Sequence, residues 1–265
     1  MGRIAWISIS PVKALSLVSL EEAFLDRAGI ADNRRFYLVD DDGRKTNAKE
    51  LGALLAIRQA YDFSAETLAL TFPDGRVVEG SVELGDPVSS DFYGMRLVTG
   101  RFVLGPWSEA ISSFVGKNLR LVRTDDIGDA VDRGEGAAVT LLSRASLEQL
   151  ADAAGVDTVD ERRFRMLIGV DGLQPHEEDV WLDRRVALGE AIVVPRGHVG
   201  RCAVTTRNPD TGDVDLKTLH ALRSYRPEGT EPLPFGVWGE VVQTGVVRVG
   251  DEVAPVETSA AAVSA

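Results

Sequence analysis

Short runs of apolar and β-branched residues, each bounded by a turn signal, dominate the pattern of the chain. Segments such as Asp40–Gly43, Pro73–Gly75 and Asn208–Gly212 separate these runs. Their glycine, proline, asparagine and aspartate residues favour turns because they tolerate or pre-set the backbone angles that turns require. Short strands at such spacing are typical of barrels and sandwiches. The predicted strands are Arg3–Ser10, Phe36–Val39, Leu68–Phe72, Arg96–Val98, Leu119–Val122, Arg185–Leu188, Ala191–Val194, Val241–Gln243 and Val246–Val249.

Two stretches have a helical pattern instead. Apolar residues recur at helical spacing after Ser143, a candidate N-cap, and Gly155 ends that pattern. The second stretch is Trp107–Val115, with Pro106 at its start, where proline is well tolerated. Because helices are few and strands many, the sequence predicts a mainly β fold with a few helices, of the α+β class.

The segment Asp125–Gly136 is polar and contains several glycines, which predicts a domain boundary. We therefore expect one domain over residues 1–125 and a second over residues 126–257. The tail, 258–265, consists of small residues and is predicted to be disordered. The longest apolar run, Ala53–Ile57, is far shorter than the roughly 20 residues that span a bilayer, so no contact with a membrane is expected.

Composition and charge limit the classes of partner that the protein is expected to bind. The chain has 265 residues, with 41 acidic against 29 basic side chains and a formal net charge of −12. Such a protein repels a polyphosphate at long range, so nucleic acid is not expected as a partner. Of the basic residues, 24 are arginine, which reflects either a GC-rich genome or side chains that clamp a small anion. The absence of a signal-peptide pattern predicts a cytoplasmic protein.

The only cysteine, Cys202, stands between Arg201 and Arg207. A single cysteine excludes an internal disulfide and a four-cysteine metal site. Cationic neighbours favour the thiolate form, which is a nucleophile and a soft metal ligand. Three interpretations stay open on the residues alone: a small buried hydrophobic residue, a metal ligand, and the nucleophile of a thiol transferase or hydrolase with His198 as base.

Several motifs, in order along the chain, resemble those of one known family. Those of the second half resemble the MOSC domain, named for the C-terminal part of molybdenum cofactor sulfurase. Those of the first half resemble the β-barrel domain that precedes it in the family. The motifs are Ile9–Lys13, Asn33–Asp40, Thr46–Lys49, Arg201–Cys202, Asn208–Gly212, Leu222–Arg226, Phe235–Gly236 and Val249–Asp251.

The resemblance extends to about Pro255 and implies an N-terminal β-barrel-like domain followed by a MOSC β-barrel. It also implies a molybdenum cofactor, that is, molybdopterin with molybdenum. Cys202 occupies the position of the family's metal ligand and is the expected catalytic residue. Lys13 and Arg35 match residues that bind the cofactor phosphate. The remaining expected cofactor contacts are Lys49, Ser143, Arg165, Arg201, Thr205 and Trp238.

The resemblance includes the amidoxime-reducing components, which implies an oxidoreductase that reduces N-hydroxylated or related N-oxygenated small molecules. Its electrons are expected from a separate electron-transfer protein. The alternative is a molybdenum cofactor carrier or sulfur-handling protein without turnover of its own. The chain departs from the family pattern at Ala14, Met166 and Gly200, where relatives often have Ser, Pro and Ser.

Overall fold

The computed structural model describes residues 1–131, 134–226 and 229–256, so the predicted tail at 258–265 lies outside the described residues. Within those ranges the chain forms 17 strands and three α-helices. The strands are β1 Gly2–Ile9, β2 Val18–Leu20, β3 Glu22–Leu25, β4 Phe36–Val39, β5 Arg58–Asp62, β6 Thr67–Thr71, β7 Val77–Ser81, β8 Glu83–Phe92, β9 Arg96–Leu104, β10 Arg120–Thr124, β11 Val139–Ser143, β12 Ile168–Asp171, β13 Val186–Leu188, β14 Ala191–Gly200, β15 Pro234–Gln243, β16 Gly245–Arg248 and β17 Glu252–Pro255. The helices are α1 Trp107–Val115, α2 Arg144–Ala154 and α3 Thr218–Tyr225.

Seven strands close into a barrel. Their order is β12-β11-β15-β14-β13-β17-β1, and β1 pairs with β12 to complete the ring. The ladder between β11 and β12 is parallel, and α2 makes the crossover that a parallel pair requires. The interior contains aliphatic side chains such as Ile4, Ile7, Leu141, Val193 and Val237, all nearly inaccessible to solvent. The first strand of the chain therefore belongs to a barrel whose other six strands all lie after residue 138.

The rest of the first half builds a second core. A four-stranded sheet, β4-β10-β9-β8, and a three-stranded sheet, β5-β6-β7, enclose it together with α1. Phe36, Leu68, Ile111 and Leu121 are fully buried there. The indole of Trp107 is also buried, and its Nε1 donates to the Leu68 carbonyl at 3.1 Å, so that its one polar group is satisfied.

The predicted fold class, mainly β with a few helices, is confirmed. All nine predicted strands coincide with observed strands, although β9, β14 and β15 extend well beyond their predicted ends. Helix α1 spans the predicted residues, and the Ser143 side chain caps α2 by accepting from the Ser146 backbone N–H at 3.2 Å. Gly155 ends α2 in the left-handed conformation, with a φ of 69°.

Candidate functional site

A cleft of about 490 Å³ lies between the two halves of the chain, and Cys202 lines it. The cysteine follows the end of β14 by two residues and begins a 3₁₀ helix, Ala203–Thr206, in an extended backbone conformation. It is exposed, with its thiol at the wall of the cleft. This placement excludes the interpretation of Cys202 as a buried hydrophobic residue.

Thr205 holds the backbone at the cysteine. Its backbone N–H and its hydroxyl both donate to the Cys202 carbonyl, at 3.2 and 3.1 Å. The same hydroxyl forms a hydrogen bond of 2.7 Å with the Thr218 hydroxyl at the start of α3. Because Thr205 is fully buried, these bonds are protected from water and fix the position of the cysteine relative to α3.

Arg201 fastens the same segment to the barrel. Its guanidinium donates to the carbonyls of Phe235 on β15, at 2.9 Å, and of Phe164, at 3.0 Å. Trp238, also on β15, lines the cleft, and Gly197 on β14 makes room for it. A Cβ at Gly197 would lie 2.9 Å from the indole Nε1 of Trp238, so a larger residue would displace the indole.

Lys13 enters the cleft from the first half of the chain. It is more than nine-tenths buried, and its Nζ donates to the Ala130 carbonyl at 2.5 Å. The Phe92 ring lies beside it, with the centroid 5.5 Å from Nζ. Arg165, from the second half, reaches the same loop and donates to the Ser10 hydroxyl at 2.7 Å and the Leu15 carbonyl at 2.8 Å.

The charge of the cleft is opposite to that of the whole protein. The chain carries a net charge of −12, yet the lining has one carboxylate, Glu50, among the described residues. Such a concentration of cations creates a local potential that attracts an anion. The cationic lining residues are Lys13, Arg34, Lys49, Arg165 and Arg201.

Backbone strain also concentrates at the cleft. Ala14, Arg34, Tyr93 and Arg165 have φ angles of 80°, 55°, 63° and 54°, in the left-handed region that non-glycine residues rarely adopt. All four line the cleft. Strained residues persist where the surrounding structure enforces them, and they cluster at ligand clamps. An exposed soft thiol, a cationic lining and enforced backbone geometry together fit an anionic group that carries a sulfur-accepting metal.

Seven of the expected site residues line this cleft: Lys13, Lys49, Arg165, Arg201, Cys202, Thr205 and Trp238. Arg35 is not among the described lining residues. Its side chain instead donates to the Thr124 hydroxyl at 3.2 Å and the Asp125 carbonyl at 3.5 Å, and burial lowers its pKa. Its neighbour Arg34, which was not an expected site residue, lines the cleft.

Ser143 also lies away from the cleft lining. Its hydroxyl is fully buried and bonds to Ser146, while its backbone N–H donates to Glu178 at 3.1 Å. Burial raises the pKa of Glu178. The next polar neighbour is His176, whose backbone N–H donates to the Ser146 hydroxyl at 2.8 Å. Burial lowers the pKa of the His176 side chain to about 4. Ser143 therefore caps a helix within a buried polar cluster.

His198, the base of the hydrolase interpretation, is not placed beside the cysteine in the cleft. Its Nδ1 is 3.1 Å from the Thr230 hydroxyl and its Nε2 is 3.5 Å from Asp179. It does not belong to the described lining of the cleft. The geometry thus gives no support to a Cys202–His198 pair.

Residues 1–131, 134–226 and 229–256 contain no group of three or more His, Cys, Asp and Glu side chains arranged to hold a metal ion. In the same ranges no helix combines the length and the hydropathy needed to cross a membrane.

Comparison with known families gives two matches that together cover most of the chain. The MOSC N-terminal beta barrel domain matches residues 1–120, and the MOSC domain matches residues 128–254. The expected family resemblance is therefore confirmed.

Comparison with individual proteins gives relatives of two kinds. The chain is 27% identical to mitochondrial amidoxime-reducing component 1 of Xenopus laevis, over 96% of this chain and 82% of the relative. It is also 27% identical to mitochondrial amidoxime reducing component 2 of Homo sapiens, over 96% and 83%. A molybdenum cofactor sulfurase of Oryza sativa subsp. japonica is 26% identical over 87% of this chain, which spans 31% of that protein.

Proposed function

Since the chain belongs to the MOSC family, with a MOSC N-terminal β-barrel domain ahead of the MOSC domain, we propose that it is a molybdenum-cofactor-dependent oxidoreductase. Its substrates are N-hydroxylated or related N-oxygenated small molecules. The observation that carries the proposal is the exposed Cys202 thiol in a cleft with five cationic lining residues, within a chain of net charge −12. The similarity to amidoxime-reducing components over 96% of the chain supports the same reaction class.

Different residues of the cleft bind different parts of the cofactor. The Cys202 sulfur is the protein ligand to the metal, because thiolates suit metals that accept sulfur. Lys13 and Arg34 are the candidate partners of the cofactor phosphate, since guanidinium and ammonium groups form charge-assisted bonds with phosphate oxygens. Arg201 and Thr205 act through backbone carbonyls to hold the cysteine in place. When bound, the cofactor supplies the two-electron redox chemistry.

The net reaction breaks an N–O bond. Two electrons and two protons convert the oxygen of the substrate into water and leave the reduced nitrogen compound. The electrons come from a separate electron-transfer protein. Tyr93 and Trp238 line the cleft, and their rings would pack against the organic part of a substrate.

The second candidate is a cofactor carrier or sulfur-handling protein without turnover of its own. The similarity to molybdenum cofactor sulfurases over 87% of the chain favours it. Both candidates require the cofactor in the cleft, and they differ in whether a substrate is converted.

One experiment tests both candidates. The protein and Cys202→Ser are produced in a host that makes the cofactor, and metal content, pterin fluorescence and reduction of benzamidoxime by reduced methyl viologen are measured. We expect about one molybdenum and one pterin per wild-type chain together with turnover. Cys202→Ser is expected to lose metal and to fall to the background rate of the reductant, because a serine hydroxyl is a poor soft ligand.

The possible results separate the candidates. Cofactor bound without turnover supports the carrier and rejects the oxidoreductase. If the wild-type protein contains neither pterin nor molybdenum, both candidates are rejected. Unchanged turnover in Cys202→Ser removes the cysteine from the mechanism.

A further inference from the structure

Two cation-bearing loops of the first half are held by arginines of the second half. One is the loop that carries Lys13, whose main chain accepts from Arg165 at the Leu15 carbonyl. The other is the turn 47–50, here called the Lys49 turn. All four of its residues line the cleft, and Asn47 shapes it by accepting from the Glu50 backbone N–H at 3.1 Å.

Arg207 reaches the Lys49 turn from the segment 201–213, here called the Cys202 segment. Its Nη2 donates to the Lys49 carbonyl at 2.9 Å, and its Nη1 donates to the Gly212 carbonyl at 2.7 Å. One guanidinium thus links the wall of the cleft that contains Lys49 to the wall that contains Cys202. Two hydrogen bonds from a planar, always charged group define a direction as well as a distance.

Two glycines allow this close approach. A Cβ at Gly52 would lie 2.3 Å from both the Arg207 Nη1 and the Gly212 carbonyl oxygen. A Cβ at Gly212, where φ is 80°, would lie 2.1 Å from the Gly52 carbonyl oxygen. The two backbones therefore meet only because neither position has a side chain, and the contact is built into the sequence.

The backbone of Arg207 is held in place as well. The Arg207 carbonyl accepts from Arg163 Nη1 at 2.7 Å, and Arg163 also forms a two-point ion pair with Asp215 at 2.7 and 2.9 Å. Arg163 is more than nine-tenths buried, whereas Asp215 is exposed, so the pair is shielded from solvent on its guanidinium side. The backbone of Arg207 is therefore fixed, and a change at its side chain acts on the Lys49 turn.

We propose that Arg207 is a positioning residue that holds the Lys49 turn against the Cys202 segment and thereby sets the width of the cleft. The inference rests on the proposed function only for the identity of the anion that the cleft accepts. The geometry of the link and the accessibility of Cys202 can be tested in cofactor-free protein.

The test uses the single cysteine as a reporter. The rate of alkylation of Cys202 by iodoacetamide, a neutral reagent, is measured in cofactor-free wild-type protein, Arg207→Met, Gly52→Ala and the double variant. We expect each single variant to raise the rate about threefold or more, because release of the Lys49 turn widens the cleft through which the reagent approaches Cys202. Gly52→Ala leaves every charge in place, so a rise in that variant cannot come from electrostatics.

The matched control is Arg162→Met. Arg162 also bonds to the Cys202 segment, through Asp210 at 2.8 Å, but its other side-chain partner among the described residues is Asp160, which lies outside the Lys49 turn. We expect the wild-type rate in this variant. We expect the double variant to match the faster of the two single variants, since both changes break the same contact. Melting temperatures of the same samples separate a local opening from general unfolding.

Three results would overturn the inference: wild-type rates in both single variants, additive effects in the double variant, or an equal rise in Arg162→Met. None of them depends on molybdenum. A protein that binds no cofactor but shows the expected alkylation rates therefore rejects the proposed function and retains the role of Arg207. Where cofactor is present, Arg207→Met is also expected to release pterin faster during gel filtration.

Discussion

Arg34 and Arg35 are neighbours in sequence and have different surroundings. Arg34 lines the cleft, whereas the Arg35 side chain bonds to Thr124 and Asp125 beside β10. Arg34 ends a turn in the left-handed conformation, with a φ of 55°, whereas Arg35 leads into β4, so the two side chains leave the backbone toward different surroundings. The structure assigns the position in the cleft to Arg34.

This difference predicts that Arg34→Gln weakens retention of the cofactor and that Arg35→Gln does not. A charge-assisted hydrogen bond is worth about 1.5–3 kcal/mol, or a factor of roughly 10 or more in affinity. Pterin fluorescence of holoprotein after dilution and gel filtration measures the loss. Glutamine preserves much of the side-chain length in both variants, so they form a matched pair.

The opposite ranking, with pterin lost from Arg35→Gln and retained by Arg34→Gln, would restore Arg35 as the phosphate ligand. Arg35→Gln is expected to act on stability instead. Its Nε is buried without a hydrogen-bond partner, so the guanidinium already lies in a costly environment.

The residues of the site were predictable to different degrees. Cys202, Lys13 and Lys49 were expected from motifs that resemble a family, and all three line the cleft. Arg35 was expected because it matches the position of a phosphate-binding arginine in the family, and a sequence motif does not say where a side chain points. Ser143 was recognised as a helix cap, but nothing in the sequence indicated that Glu178, from the 3₁₀ helix Glu177–Trp181, would accept from its backbone N–H.

At the scale of elements, two titratable side chains, His176 and Glu178, lie near the N-terminus of α2. Their contributions to stability change with pH in opposite directions. Burial lowers the pKa of His176 to about 4, so the folded protein keeps this side chain neutral where the unfolded chain binds a proton. Its contribution to stability is present above about pH 6.5 and is lost as the pH falls toward 4. Burial raises the pKa of Glu178, so its contribution has the opposite sign and is lost as the pH rises.

We predict that His176→Asn flattens the loss of stability between pH 7 and pH 5. Asparagine suits the backbone at this position, where φ is 60°, and it does not titrate. The measurement is the urea midpoint of wild type and variant at both pH values, with Glu178→Gln as the counterpart that steepens the loss on acidification. An equal drop in midpoint for His176→Asn and wild type would show that His176 does not contribute to the acid sensitivity.

Strand β8 shows why some elements could not be predicted. It contains Gly85, Asp86 and Pro87 and has few apolar residues, so its sequence resembles a loop. It is an edge strand, paired only with β9 among the described strands, and its register shifts between Leu84 and Pro87. Proline is compatible with an edge or a bulge, because the missing N–H is not needed there. The segment forms a strand because it pairs with β9, and its own sequence does not predict one.

At the scale of the whole molecule, the barrel joins the two ends of the chain. Strand β1 pairs with β12 and with β17, and it is the only strand from the first 125 residues within the described ring of seven. Trp6 on β1 lies against Gly169, where a Cβ would come within 2.0 Å of the indole. The predicted division of the chain at residues 125 and 126 therefore separates β1 from the ring that it completes.

This topology predicts that residues 126–256 do not form a stable barrel alone. Without β1, two strand edges are unpaired, and the burial that Ile4, Ile7 and Ile9 provide is lost, at about 1.5–3 kcal/mol for each side chain. Near-ultraviolet circular dichroism and urea unfolding of the fragment are expected to show no cooperative transition. Attaching Gly2–Ile9 after Val256 through a short glycine-containing linker should restore a cooperative unfolding transition. The linker can be short because β1 and β17 are antiparallel neighbours with Gly2 opposite Val253.

The same fusion with Ile4 and Ile7 replaced by asparagine is the matched control, since it keeps the length and removes the apolar face of the strand. We expect it to behave like the bare fragment. A bare fragment that unfolds cooperatively, with a midpoint equal to that of the restored fusion, would show that the six remaining strands close without β1. The family's C-terminal domain would then be an independent folding unit, and the contact between the ends of the chain would serve only to place the Lys13 loop beside Cys202.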